Sequence, residues 1–318
     1  MFTKSETVPR PVDPAIADYV ARFDAVMSAP VTDMSEMRAR YSQLLAEQGA
    51  PVDAVLSRDF AIPTRHGDMP ARLYLPENPA ALLIYIHGGG FAVGGLDSPD
   101  RVLHTVSRGA DVAILSLDYV LAPEHMYPVA LEQCKDAVEW AEDNRASLEV
   151  TGPLGVAGDS AGGNLTALLS HWAATENGPT ISWQGLINPV LDFLTLDGEM
   201  RGSHGHYGSS PLLSTDAMRN FMSSYFVDTA ARVDASPLRK IGDFSILPST
   251  FVATGQCDAL RDEGVSYAAQ LAAAGVPVTL SVYKGMPHNF ITLTRFSTSA
   301  QNFVDDFVRE ARRWANQC

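Results

Sequence analysis

Gly158-Asp159-Ser160-Ala161-Gly162 sets a serine between two glycines, after the apolar run LGVAG and before an Ala- and Leu-rich helical pattern. A sharp strand-to-helix turn of this kind projects a serine hydroxyl, and its strained backbone tolerates no bulk at the flanking positions. Ser160 is the candidate nucleophile of an acyl transfer. Attack on a carbonyl creates an oxyanion, which preorganised N–H donors must meet. His87-Gly88-Gly89-Gly90-Phe91 ends the apolar run ALLIYIH, and its glycines let N–H groups turn toward one point with no side chain in the way. The N–H groups of Gly88 and Gly89, with that of Ala161, are assigned to this hole. A phosphate cradle is the rival reading, but Gly-Lys-Ser/Thr is missing and no helix follows at once.

Serine needs a base, and the base needs a carboxylate to fix its tautomer. His171, His204, His206 and His288 follow Ser160 in the chain. His171 falls on the helix that leaves the serine turn and cannot fold back onto it. His204 and His206 stand in RGSHGHYGSSP, read as a solvated or cap-lining loop; with no carboxylate or third histidine beside them, they make a weak metal pair. His288, in Gly285-Met286-Pro287-His288-Asn289-Phe290, follows the last strand-like run, VTLSVY. Loops beyond the carboxyl ends of strands are where α/β sheets place their chemistry, so His288 is the expected base. Asp258, just past STFVAT, is the expected acid, with Asp192, after ISWQGLIN, as the second candidate. Asp262 and Glu263 read as acids at a helix N-terminus. Asp159 either tunes the site or serves the turn, and Cys257 reads as packing.

The elements that position these residues alternate. Short apolar runs at Val55–Ile62, Ala71–Leu75, Ala81–His87, Val112–Asp118, Leu154–Gly158, Ser182–Asn188, Pro248–Thr254 and Pro277–Tyr283 predict eight strands. Helical patterns lie between them, at Asp100–Gly109, Pro128–Asn144, Ala161–Thr175, Glu263–Ala273 and Ser299–Ala315. Runs such as LLIYIH and VAILSL are apolar on both faces, as covered strands must be. The pattern predicts an α/β fold with a mostly parallel sheet and helices on both faces. Two amphipathic helices precede it, Ile16 to Met27 and Met34 to Leu45; the second opens on an Asp33/Glu36 capping box and stops at Gly49. Leu191 to Pro237 breaks the alternation with the histidine-bearing loop and a helix at Thr215–Phe226, a candidate lid over a pocket.

The chain has 318 residues, 46% of them hydrophobic, enough for one large core. A net charge of −14 disfavours nucleic acid and anionic membrane partners, which need a basic footprint. Met1 to Asp13 has no apolar core, so no secretory signal is expected; no run is long enough for a spanning helix. Cys134, Cys257 and Cys318 form no disulfide framework or CxxC metal pattern, and a reducing cytoplasm is the default. Neither metal nor organic cofactor is expected. The expected partner is a small-molecule ester, bound by a monomer or homodimer.

IHGGGF at 86–91, DYVLAPEHMYP at 118–128, GDSAGGNL at 158–165, and CDALRDEG with GMPHNF at 257–264 and 285–290 resemble the hormone-sensitive-lipase-like bacterial esterases. The likeness runs from about Asp53 to Trp314. It implies an α/β-hydrolase fold with nucleophile, acid and base on Ser160, Asp258 and His288. It also implies a helical cap from residues 1–48 and 193–235 over a core of 49–192 and 236–318. Short- to medium-chain carboxylic esters are the implied substrates; an amide, a lactone, an acetylated small molecule or a non-catalytic binding scaffold are the alternatives. Met34, Phe91 and Tyr207 are candidate pocket residues on position alone. Two departures stand out: Val120 replaces the family's usual arginine, and Ala259 its usual proline.

Overall fold

Strands Leu82–Ile86 and Val112–Leu117 are fully buried because helices cover both sheet faces. The computed structural model describes residues 12–27, 29, 33–46, 52–209 and 212–317. Its strands are β1 Leu56–Ile62, β2 Met69–Leu75, β3 Ala81–Ile86, β4 Val112–Leu117, β5 Leu154–Asp159, β6 Ile181–Ile187, β7 Ser249–Gly255 and β8 Val278–Tyr283. Its α-helices are α1 Ala17–Met27, α2 Met34–Ala46, α3 Asp100–Ala110, α4 Val129–Asp143, α5 Ala161–Thr175, α6 Gly202–Tyr207, α7 Thr215–Tyr225, α8 Thr229–Asp234, α9 Arg261–Ala273 and α10 Thr298–Ala315.

The strands form one sheet in the order β1-β2-β4-β3-β5-β6-β7-β8. β1 and β2 pair antiparallel, β2 meets β4 antiparallel, and β4 through β8 run parallel. This order sets β3 beside β5, with Ile86 level with Gly158. The glycines after β3 and the serine after β5 therefore leave the sheet side by side. The loops after β7 and β8 leave from the same end.

Alternation along each strand divides the core. Leu83 and Tyr85 face Trp183, Phe303, Phe307 and Trp314 in the layer that includes α3 and α10. Leu82, Ile84 and Ile86 face the α4 and α5 layer, with Leu165, Leu169 and Cys134. Trp183 stacks on Trp314 at 5.5 Å and on Phe307 at 6.1 Å, so α10 is held by large aromatic surfaces. Truncating one such buried ring costs about 3–5 kcal/mol.

β2 begins at Met69, two residues before the sequence pattern does, because Pro70 sits in the strand and masks its start. A larger difference lies in the histidine-bearing segment. RGSHGHY is the helix α6 rather than a loop, and the short helix α8 was also not foreseen. Gly, Ser and His have weak helix propensity, but tertiary partners hold α6. Ser203 N–H donates to Asp262 Oδ2 at 2.8 Å, Asp262 N–H to Ser203 Oγ at 3.1 Å, and Ser203 Oγ–H to the Ala259 carbonyl at 2.6 Å. α2 is fastened through Arg38, which donates to the carbonyls of Ala92 and Ala122, both at 2.9 Å. The proposed helix stop at Gly49 and the terminal Cys318 lie outside the described residues.

Candidate active site

β5 ends at Asp159 and α5 starts at Ala161, so Ser160 makes the whole turn between them. Its backbone has φ 55° and ψ −116°, a strained conformation for a residue with a side chain. The flanking glycines are required by space. A Cβ on Gly162 would lie 2.0 Å from the Ile86 carbonyl oxygen, and one on Gly158 2.5 Å from Gly162.

His288 stands in the loop after β8. That loop closes against the end of β7, where Cys257 N–H donates to the Met286 carbonyl at 2.8 Å. A Cβ on Gly255 would meet the Met286 and Pro287 carbonyl oxygens at 2.5 and 2.6 Å, so only glycine admits this approach. Asp258 is fully buried; its Oδ1 accepts from Leu260 N–H at 2.9 Å. Its Oδ2 lies 2.9 Å from His288 Nδ1, and His288 Nε2 lies 2.9 Å from Ser160 Oγ. With Nδ1–H donated to the carboxylate, Nε2 is left to accept the serine proton. The structure thus brings Ser160, His288 and Asp258 together. Asp192 also lines the cavity in front of Ser160, but its carboxylate is taken by Arg239, which donates from Nε at 2.7 Å and Nη2 at 2.8 Å.

The glycine loop after β3 corrects one assignment. Gly88 N–H is already donated, to Asp159 Oδ1 at 3.0 Å, and has no donor left for an oxyanion. Gly89 and Gly90, with φ of 124° and 59°, line the same cavity as Ser160. Among the described residues, neither N–H has an acceptor. Ala161, as the first residue of α5, has an N–H with no intrahelical acceptor. The open donors are therefore Gly89, Gly90 and Ala161. The loop is fixed from behind: His87 Nδ1–H donates to the Gly88 carbonyl at 2.7 Å, and Tyr119 O–H to the His87 carbonyl at 2.9 Å. Burial pulls the His87 imidazole down to about 4, so it stays neutral. Asp159 is buried and also accepts from Tyr85 O–H at 2.8 Å. Burial pushes its carboxyl up to about 6, against the opposing pull of Tyr85, the Gly88 N–H and His288.

The cavity in front of Ser160 measures about 290 Å³. Met34 and Phe91 line it, together with Phe23 and Tyr41 of α1 and α2 and Met218, Phe221 and Met222 of α7. The α7 residues were missed, although their i, i+3, i+4 spacing marks one apolar face. Phe91 stacks on Tyr225 with ring centroids 3.9 Å apart. Tyr207 does not line the cavity. On α6 its ring is buried among Leu213, Met218 and Leu260, with the Arg261 guanidinium 5.7 Å from its centroid.

Of the solvated and cap-lining readings, His206 is exposed, whereas His204 is buried and lines the cavity. A carboxylate does accompany it: Nε2 lies 2.7 Å from Glu263 Oε1, while Oε2 accepts from Leu191 and Asp192 N–H at 2.6 and 3.0 Å. Glu263 is in the first turn of α9, as its sequence position implied, but buried. His171 Nε2 lies 3.0 Å from Tyr267 O–H, remote from the serine.

A family model described as the alpha/beta hydrolase fold matches residues 83–292. The carboxylic ester hydrolase LipN of Mycobacterium tuberculosis is 36% identical over 292 residues, covering 88% of this chain and 76% of that protein. The ethyl acetate hydrolase of Pseudomonas putida is 32% identical, covering 89% and 92%. Among solved structures, the hyperthermophilic esterase from Pyrobaculum calidifontis superposes with a TM-score of 0.87 at 30% identity, covering 96% of this chain and 99% of that one.

Proposed function

We propose residue roles for a chain that belongs to the alpha/beta hydrolase fold family, in its hormone-sensitive-lipase-like esterase branch, and is a carboxylic ester hydrolase. Ser160 Oγ attacks the ester carbonyl carbon while His288 Nε2 takes its proton. Asp258 holds the imidazole in register and stabilises the imidazolium. The negative oxygen of the tetrahedral intermediate is met by the N–H groups of Gly89, Gly90 and Ala161. Collapse breaks the C–O bond, and His288 hands its proton to the departing alcohol. Water then gives a proton to His288 and adds to the acyl-enzyme. The C–Oγ bond breaks, the proton returns to Ser160, and the acid leaves. One ester and one water yield one acid and one alcohol.

The unbroken contact chain Asp258–His288–Ser160, with 2.9 Å at each step, carries this reading. The complete relay weighs against a non-catalytic binding scaffold. Short- to medium-chain acyl groups are the preferred substrates, because a cavity of about 290 Å³ walled by Phe23, Met34 and Phe221 confines the chain. The described residues of segments 1–48 and 193–235 act as the cap, and the rest of both segments lies outside the described residues. No helix of the described residues is long and apolar enough to cross a membrane. Hydrolysis of p-nitrophenyl butyrate by wild type and Ser160→Ala tests the assignment: the variant should lose ~10⁶-fold in kcat. Full activity in Ser160→Ala would remove Ser160 from its role.

A further inference from the structure

Asp159 precedes the nucleophile yet takes no part in the proton relay. Its Oδ1 accepts two hydrogen bonds from the segment that carries the oxyanion donors, one from Tyr85 O–H at 2.8 Å and one from Gly88 N–H at 3.0 Å. Tyr85 lies one residue before the end of β3 and Gly88 opens the glycine loop, whereas Asp159 ends β5. The carboxylate therefore links the donor loop to the nucleophile turn. It does so one peptide bond from each reacting group: Asp159 is bonded to Ser160, and Gly88 to Gly89. The fit leaves no slack, since a Cβ on Gly88 would sit 2.3 Å from Asp159 Oδ2. The other faces of the loop are tied down by His87 and Tyr119, but those contacts hold it to its own strand and to the segment after β4. Among the described residues, the Gly88 bond is the side-chain link between loop and elbow.

We propose that Asp159 is a positioning residue, its Oδ1 anchoring the Gly88 N–H so that the Gly89 and Gly90 N–H groups converge on the oxyanion formed at Ser160. The proposal rests on Ser160 being the nucleophile. Oxyanion donors act through preorganisation, and misplacement by ~1 Å can cost ~10²-fold. A charged acceptor makes a shorter and stronger bond to N–H than a neutral one. The carboxylate keeps this place although burial works against its charge. The groups facing it are Tyr85 from β3, the Gly88 N–H, Tyr119 from the segment after β4, His288 from the loop after β8 and Tyr41 from α2.

The test compares wild type, Asp159→Ala, Asp159→Asn, Tyr85→Phe and Ser160→Ala on p-nitrophenyl butyrate. It adds the inhibition constants of an alkyl trifluoromethyl ketone, whose serine adduct presents an oxyanion, and of hexanol, which presents none. Asp159→Ala should lower kcat by ~10²-fold with little change in KM, and weaken the ketone by a matching factor while hexanol binding holds. Asp159→Asn keeps an oxygen acceptor and should recover at least ~10-fold of that loss. A merely structural role would not produce this matched loss against the oxyanion adduct alone. Wild-type kcat in Asp159→Ala, or lost kcat with unchanged ketone affinity, overturns the proposal. If Asp159→Ala does not fold, Tyr85→Phe decides: unchanged kcat and ketone affinity in it overturn the anchor. An active Ser160→Ala would sink the nucleophile reading itself. An inactive Ser160→Ala beside a fully active Asp159→Ala would sink only the anchor.

Discussion

The two sides of the cavity are built differently. The floor, with Ser160, His288, Asp258 and the glycine loop, rests on the ends of β3, β5, β7 and β8, where backbone meets backbone. At Gly162, Gly158 and Gly255 even one added carbon would lie within 2.6 Å of a neighbouring carbonyl oxygen or carbon. The wall comes from α1, α2 and α7, and meets the cavity with long or flexible side chains, Met34, Met218 and Met222 among them. Methionine fills irregular space and yields to substitution. α2 is held by Tyr41, Leu44 and Leu45 buried in the core and by Arg38, whose partner Glu124 is 52% exposed. Under the proposed mechanism, the close-packed floor fixes the reaction and the adaptable wall selects what reaches it. Changes in the floor should therefore alter rate or folding, and changes in the wall should alter preference.

After loss of the nucleophile itself, the largest expected effect is at the acid. Asp258→Asn leaves the fold intact but lets His288 take the wrong tautomer, and kcat should fall ~10⁴-fold with KM nearly unchanged. Steady-state kinetics read this directly, and a loss under tenfold would mean that His288 needs no orienting charge. Gly162→Ala comes next, because its Cβ would lie 2.0 Å from the Ile86 carbonyl. Overpacking against backbone should cost several kcal/mol, above the ~1–3 typical of core insertions. A melting curve equal to wild type would show that the floor can yield.

Asp159 gives a smaller effect of opposite sign on stability. Its folded carboxyl titrates near 6, raised from 3.8 by burial. Between these values the folded state holds a proton that the unfolded state releases, so stability falls as pH rises through that window and stays lower above it. The difference amounts to about 3 kcal/mol. Asp159→Asn removes the ionisation and should melt higher than wild type at pH 8, with the gap closing toward pH 4. A gap that does not change with pH would rule out the buried charge as its source. The wall should respond least. Phe221→Ala should cost under ~1 kcal/mol of transition-state stabilisation for an acetyl ester while shifting preference toward longer acyl chains. Unchanged chain-length preference would break the division between floor and wall.

Much of the floor was legible in the sequence because its requirements are local. Strands covered on both faces need apolar runs, the turn at Ser160 needs flanking glycines, and the base and acid follow strands late in the chain. What the sequence hid depends on partners distant along it. Which glycines of the loop keep free donors is decided by Asp159, 71 residues beyond Gly88. The carboxylate beside His204 is another such partner, because Glu263 lies 59 residues away. The helix α6 exists despite its composition because Ser203 and Asp262 bond reciprocally, and that helix turns Tyr207 away from the cavity.

The proposed mechanism places the acyl group on Ser160. Incubation with a p-nitrophenyl alkylphosphonate, followed by intact mass and peptide mapping, tests it most directly. Release of one equivalent of p-nitrophenolate with the phosphonyl group on Ser160, and no labelling of Ser160→Ala, is the expected result. A label on another residue, or sustained ester turnover with Ser160 unmodified, would contradict the account.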